Sequence, residues 1–143
     1  NFMITFCFLS IPQFKLLLDK IIELRQKYSI NSQRIWFDTP YLIEPPHLSS
    51  QIVDDQLLEH LNQTLEYMKS LVKDNNDLHY FTPTEYSKLE RVVRWIEHNR
   101  YSGDELELNR RDFVKFVEEH DSRRGTDFYQ AFPELTYFCE LYR

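Results

Sequence analysis

The spacing of apolar positions changes along the chain and divides it into elements. Residues 2–9, FMITFCFL, are aromatic, aliphatic and β-branched without clean alternation, the pattern of a strand buried on both faces. Ser10, Pro12 and Gln13 then give a capping-box pattern with a first-turn proline, which predicts a helix start. Phe14, Leu17, Leu18, Ile21 and Ile22 keep helical spacing, and Lys15, Asp19, Lys20 and Glu23 fall largely between them. Asn31 and Ser32 mark a turn, and Arg34-Ile35-Trp36-Phe37 reads as a second short strand. Strand, helix and strand in quick succession predict a βαβ unit, a parallel sheet and an α/β fold class.

A proline-rich loop, DTPYLIEPPHLSSQIV, occupies 38–53. In parallel α/β architectures ligands gather at the carboxyl ends of strands, which would put this loop and Phe8 to Ser10 on one ligand-facing side. A connector that packs its apolar residues on the core explains the loop equally well.

From Asp54 onward the pattern is helical. Leu57, Leu58, Leu61, Leu65, Met68 and Val72 make one stripe, which DNND at 74–77 breaks. Thr82-Pro83-Thr84-Glu85 is a capping box that opens a helix through Leu89, Val93 and Ile96. Ser102-Gly103-Asp104-Glu105 repeats the signal ahead of Leu106, Phe113, Phe116 and Val117, expected on one face. A last short helix is expected from about Pro133. Residues 1–53 thus form the strand-helix-strand part and residues 54–143 a helical region.

At 143 residues, 42% hydrophobic and 15% aromatic, the chain can bury a real core as one domain. Two glycines and six prolines favour helices over a many-stranded sheet. A net charge of −6 argues against nucleic acid as a partner, because phosphate contacts need clustered Lys and Arg. The opening apolar run is shorter than the roughly 20 residues of a membrane span and lacks the flanks of a signal peptide. Its start inside a strand leads to the expectation of a piece of a longer protein. Cys7 and Cys139 form neither a CxxC nor a disulfide framework, so a cytoplasmic setting is expected.

Two glycines exclude a phosphate-binding loop, and His47, His60, His79, His98 and His120 have no zinc-ligand spacing. Both cysteines lie in apolar stretches where thiols are inert. Glu118 and Glu119 read as solvated, and Asp54 and Asp55 as first-turn residues favoured by the helix dipole. With no nucleophile beside a base, no catalytic residue and no metal ligand is assigned, which disfavours a small hydrolase or transferase. The densest chemistry is EEHDSRRGTDF. His120 and Asp121 fall where a helix should stop, and Arg123 and Arg124 suit its exposed carbonyls. Gly125 can take a positive φ, and Thr126 can cap the next turn. An anion site on the two arginines is the sharper alternative.

EEHDSRRGTDFYQAFPEL resembles the C-terminal signature of twitch-domain radical SAM proteins, in which an H-D-x-R-R-G-T-x-F run leads into a short F-P-E segment. TFCFLSIPQFKLLLDKIIELR is similar to a late strand and helix of the radical SAM partial (β/α) barrel, and IWFDTPYLIEPPHLSSQIV to its last strand and exit loop. The matches run in the same order across essentially the whole chain. They imply residues 1–53 as the end of a partial barrel and an enzyme using S-adenosylmethionine with a four-iron four-sulfur cluster. The cluster-binding CxxxCxxC is absent, as is the glycine-rich segment for the methionine end of the cofactor. The resemblance therefore implies a C-terminal part that is not catalytically competent alone and binds neither group by itself. Its partner would be the missing N-terminal half of the barrel, in the same or a separate chain. By the same analogy Phe8, Leu9, Ser10, Pro40, Tyr41 and Leu42 would contact cofactor or substrate, and His120, Asp121, Arg123, Arg124 and Gly125 would fasten the C-terminal helices. The alternative is a non-enzymatic helical interaction module that has lost the cluster-binding half.

Overall fold

The structure, a computed structural model, describes residues 1–30 and 33–143; the turn expected at Asn31 and Ser32 lies outside the described residues. Strand β1 (Phe2–Met3) pairs in parallel with β2 (Phe37–Asp38), with Phe2 opposite Phe37 and Met3 opposite Asp38. A single bridge continues the pairing at Phe6 and Tyr41. The Ile4 N–H donates to the Asp38 carbonyl at 2.9 Å, and the Leu42 N–H to the Phe6 carbonyl at 2.9 Å. Helix α1 (Phe14–Tyr28) lies between the two strands in the sequence.

This overturns the α/β expectation and the partial barrel. The chain is mostly helical, and two strands of two residues each are too little sheet to be a part of a barrel. The cause is local. At Phe8 the chain leaves the extended conformation for a 3-10 turn, Phe8–Ser10, held by the Cys7 N–H donating to Ser10 Oγ at 3.1 Å. Nor is the run buried on both faces, since Phe2 and Met3 are 53% and 66% exposed. Its remaining apolar residues serve helix packing instead: Phe6 meets Phe14, and Phe8 meets rings from the C-terminal helices.

The longer helices track their apolar stripes. Helix α2 (Asp55–Ser70) starts after Asp54, whose carboxylate accepts from the Leu57 N–H at 2.8 Å. Its inner face is Leu57, Leu61, Leu65 and Met68. Helix α3 (Pro83–Asn99) opens on a complete capping box, with Thr82 N–H to Glu85 Oε1 at 3.1 Å and Glu85 N–H to Thr82 Oγ1 at 3.2 Å. Such a cap contributes about 1 kcal/mol. The two other boxes do not form: α1 starts after Gln13 with no side-chain cap, and α4 (Gly103–Arg124) starts after Ser102 with none. Two short helices, α5 (Phe128–Ala131) and α6 (Thr136–Tyr142), close the chain, separated by a 3-10 turn at Pro133–Leu135.

One hydrophobic core runs through all of this. Phe6, Leu18, Ile52, Leu61, Ile96, Phe113 and Phe138 belong to the same buried cluster, which is continuous across residue 53.

Two helical arginines take stripe positions inside the core. Arg25, fully buried, continues the Leu18–Ile21 face of α1, and its guanidinium bonds Glu85 of α3, the Ile35 carbonyl at 2.9 Å and the Tyr80 carbonyl at 3.2 Å. Arg34, from the connecting segment, bonds the same Glu85 and the Asp77 carbonyl. Arg110 of α4 donates to the carbonyls of Ile52 and Val53, both at 2.9 Å, and to the Tyr142 hydroxyl at 2.7 Å. These charged groups tie the connecting segments to the helices by meeting carbonyls that would otherwise be buried without partners.

Candidate functional site

Two groups of residues singled out by the sequence can be located. The first lies where the parallel pairing ends. The Pro40 carbonyl accepts from the Phe6 N–H at 2.6 Å, and Leu42 is bonded to the same residue. The Tyr41 ring sits 4.3 Å from Trp95 of α3 at an interplanar angle of 31°. Pro40, Tyr41 and Leu42 are each partly exposed. Phe8 is not: it is fully buried against Phe113 and Phe138, so a cofactor contact there is corrected to a core role. Ser10 spends its hydroxyl on Cys7. Leu9 lines a hollow beside the end of α4.

The second group is the end of α4, where the signature divides into two sets with different work. Asp121 is a fastener: its carboxylate accepts from Thr126 Oγ1 at 2.7 Å and from the Phe128 N–H at 2.7 Å. Those bonds hold its pKa below the ordinary carboxylate value, the Thr126 bond most of all. Gly125 ends the helix at φ +65°, where a side chain would be strained, and its N–H donates to the Asp121 carbonyl at 2.8 Å. Together the two residues stop α4 and aim the chain into α5.

His120, Arg123 and Arg124 face outward instead. Among the described residues Arg123 makes only an exposed pair with Glu119 at 3.1 Å. No carboxylate among the described residues lies within ion-pair distance of Arg124. His120 is next to an apolar cavity of about 200 Å³ walled by Leu9, Phe116, Val117, Phe128 and Phe132. A second hollow of about 190 Å³ shares Phe116 and His120 and adds Glu119, Arg123 and Arg124. Phe116, expected in the core stripe, is 42% exposed, with the His47 ring 5.3 Å from it and the His120 ring 6.5 Å from it. Periodicity could not reveal this, because residue 116 keeps helical spacing with Phe113 yet falls at the rim.

The residues present do not fit an iron–sulfur cluster. No group of three or more His, Cys, Asp or Glu side chains among the described residues is placed to hold a metal ion. Cys139 is fully buried, and burial pushes its thiol up to about 11. Among the described residues no helix is long and apolar enough to cross a membrane. Compared with family models, with curated proteins and with solved structures, the chain finds no match, so the likeness of its C-terminal stretch rests on its own residues alone.

Proposed function

We propose that this chain is the cluster-free C-terminal part of an S-adenosylmethionine-dependent radical enzyme, supplying a joining surface and part of a cofactor- or substrate-facing wall. The ordered resemblance from TFCFLSIPQF to FPEL motivates the reading. One observation supports it in the geometry: residues 2–6 run parallel to 36–42, and among the described residues no strand pairs with the outer edge of β1. Phe2, Ile4 and Phe6 direct their N–H groups to the second segment, so Met3 and Thr5, which alternate with them, turn theirs outward. Phe2 and Met3 of β1 are themselves exposed. Such an edge suits a further strand, here assigned to the rest of the enzyme. Tyr41 and Leu42, partly exposed at the end of the pairing, are the residues that would face cofactor or substrate.

The second reading, a non-enzymatic helical interaction module, is favoured by the single buried core that runs from Phe6 to Cys139.

The complete reading frame separates the two. Sequencing the coding DNA and purifying its natural product anaerobically should reveal a CxxxCxxC upstream, a bound iron–sulfur cluster and release of 5′-deoxyadenosine from S-adenosylmethionine under reducing conditions. A complete frame without that cysteine triplet, giving an iron-free product, sinks the enzyme reading and leaves the module.

A further inference from the structure

The turn between α2 and α3 closes on the start of β2 and leaves a hollow of about 310 Å³. Arg34 and Trp36 line it from the β2 side, and Asn75, Asn76, Asp77 and Leu78 from the turn. Backbone groups and two carboxylates fix that turn. Asp74 Oδ1 accepts from the Asn76 N–H at 2.8 Å, and the Asp74 carbonyl from the Asp77 N–H at 3.2 Å. Asp77 Oδ1 accepts from the N–H groups of His79 and Tyr80 at 2.9 and 2.8 Å. The carboxamides of Asn75 and Asn76 take no part in this. Both residues are exposed, and among the described residues neither side chain makes a hydrogen bond.

Trp36 gives the hollow its one ring. It is 53% exposed, and the Arg34 guanidinium stands over it at 5.5 Å from the ring centroid, which holds the indole in place. Arg34 itself is 4% exposed, and its Nε–H is buried with no acceptor among the described residues, a donor that the fold leaves unanswered beside the hollow. Its charge, however, is answered by Glu85. Asp77 keeps its own charge, because the groups bonded to it are neutral N–H donors. The lining therefore holds no free cation for a phosphate or carboxylate, and it selects a neutral ligand. Two carboxamides and the second oxygen of Asp77 both donate and accept around a single aromatic platform. A flat aromatic base needs cover on both faces and has few donors. A sugar ring matches the lining better, with an apolar C–H face and a rim of hydroxyls that donate and accept.

We propose that this hollow binds a neutral sugar, the C–H face of one pyranose ring on the Trp36 indole and its hydroxyls on Asn75, Asn76 and Asp77. At about 310 Å³ it is at the small end of ligand pockets, in keeping with one ring rather than a long chain. The site shares no residue with the cofactor-facing wall assigned above and does not depend on that reading. Binding is insensitive to ionic strength, because no ion pair forms with the ligand.

The test is an NMR titration of the 143-residue chain with methyl β-glucopyranoside, read at the backbone amides and the indole N–H signals. Trp36 and Trp95 are the two tryptophans of the chain, so a Trp36→Phe variant assigns the indole signals. The expected result is saturable shifts of the Trp36 indole and of amides in 34–36 and 75–78, with the Trp95 indole unmoved. Affinity should drop at least about tenfold for Trp36→Ala, and at least about tenfold for the chain carrying Asn75→Ala and Asn76→Ala. The spectra of the variants also report whether they are folded, and the two asparagines, exposed and unbonded, can be replaced without loss of the fold. Glycerol, which has hydroxyls but no ring face, should not bind. The proposal is overturned if no shift saturates, if the shifts map to other residues, or if the folded asparagine variant binds like the wild type. It is also overturned if glycerol gives the same shifts, or if cytidine binds more tightly than the glucoside, which would make the hollow a slot for an aromatic base.

Discussion

Glu85→Gln is expected to destabilise the folded chain by about 3–5 kcal/mol, the range for breaking a buried ion pair by removing one partner. Glu85 is shared by Arg25 and Arg34, and the side chains of Arg25 and Glu85 are 0% and 3% exposed. Burial pushes the Arg25 pKa down, and the Glu85 hydrogen bond and charge pull it back up. Glutamine keeps the size of the side chain and one acceptor oxygen but loses the negative charge that two buried guanidiniums share. Glutamine can also close the capping box of α3, so the loss is one of charge. Thr82→Ala gives the scale of the cap alone, because it removes a cap bond and leaves the charge cluster, at a cost of about 1 kcal/mol. Urea unfolding of the wild type and the two variants measures the difference. A Glu85→Gln cost no larger than that of Thr82→Ala would mean that the cluster adds nothing beyond the cap. Replacing all three charged residues with apolar ones of similar volume is a different experiment, and it can come out neutral.

Phe8→Ala should cost about 3–5 kcal/mol, the range for emptying a buried phenylalanine site. The Phe8 ring stands edge-on to Phe113 at 4.8 Å and 84°, and is tilted on Phe138 at 4.8 Å. Those two rings belong to α4 and α6, so one side chain from the N-terminal segment holds both C-terminal helices. Aromatic contacts of this geometry add to the stabilisation that area burial supplies, and the alanine variant loses both. Denaturant midpoints for wild type and variant read the effect directly. A variant within about 1 kcal/mol of wild type would show a ring not packed as described.

Much of the helical part is legible in the sequence. The Thr82–Glu85 box and the Leu57, Leu61, Leu65, Met68 stripe become α3 and α2 as their spacing requires. The N-terminal run misleads for a physical reason. An unbroken apolar stretch has no period to distinguish a buried strand from a segment that feeds a core, and here Ser10 Oγ captures the Cys7 N–H and turns the chain. The parallel direction of the pairing can be read from the strand, helix, strand order, although its extent cannot. The charge cluster is hidden because Arg25 and Glu85 lie 60 positions apart and Glu85 already has an explanation as a cap. A trace of it is visible all the same: Arg25 falls four residues after Ile21 on an otherwise apolar face. Arg110 sits in a similar relation to Phe113, Val114 and Val117. An arginine on a core stripe is therefore best read as a buried anchor with carbonyls to meet. At the α4 end, residue types alone do not say which members of the signature look inward, because that depends on where Gly125 releases the chain.

The depth of Cys139 gives the molecule an internal clock. A thiol with no exposed surface and a raised pKa reacts with an alkylating reagent only when α6 lifts from the core, so its modification rate counts openings of that helix. Cys7, only partly buried in the turn before α1, is accessible without such an opening. Two cysteines at opposite ends of one chain thus time two different events, and the interval between them measures how tightly the C-terminal helices are latched.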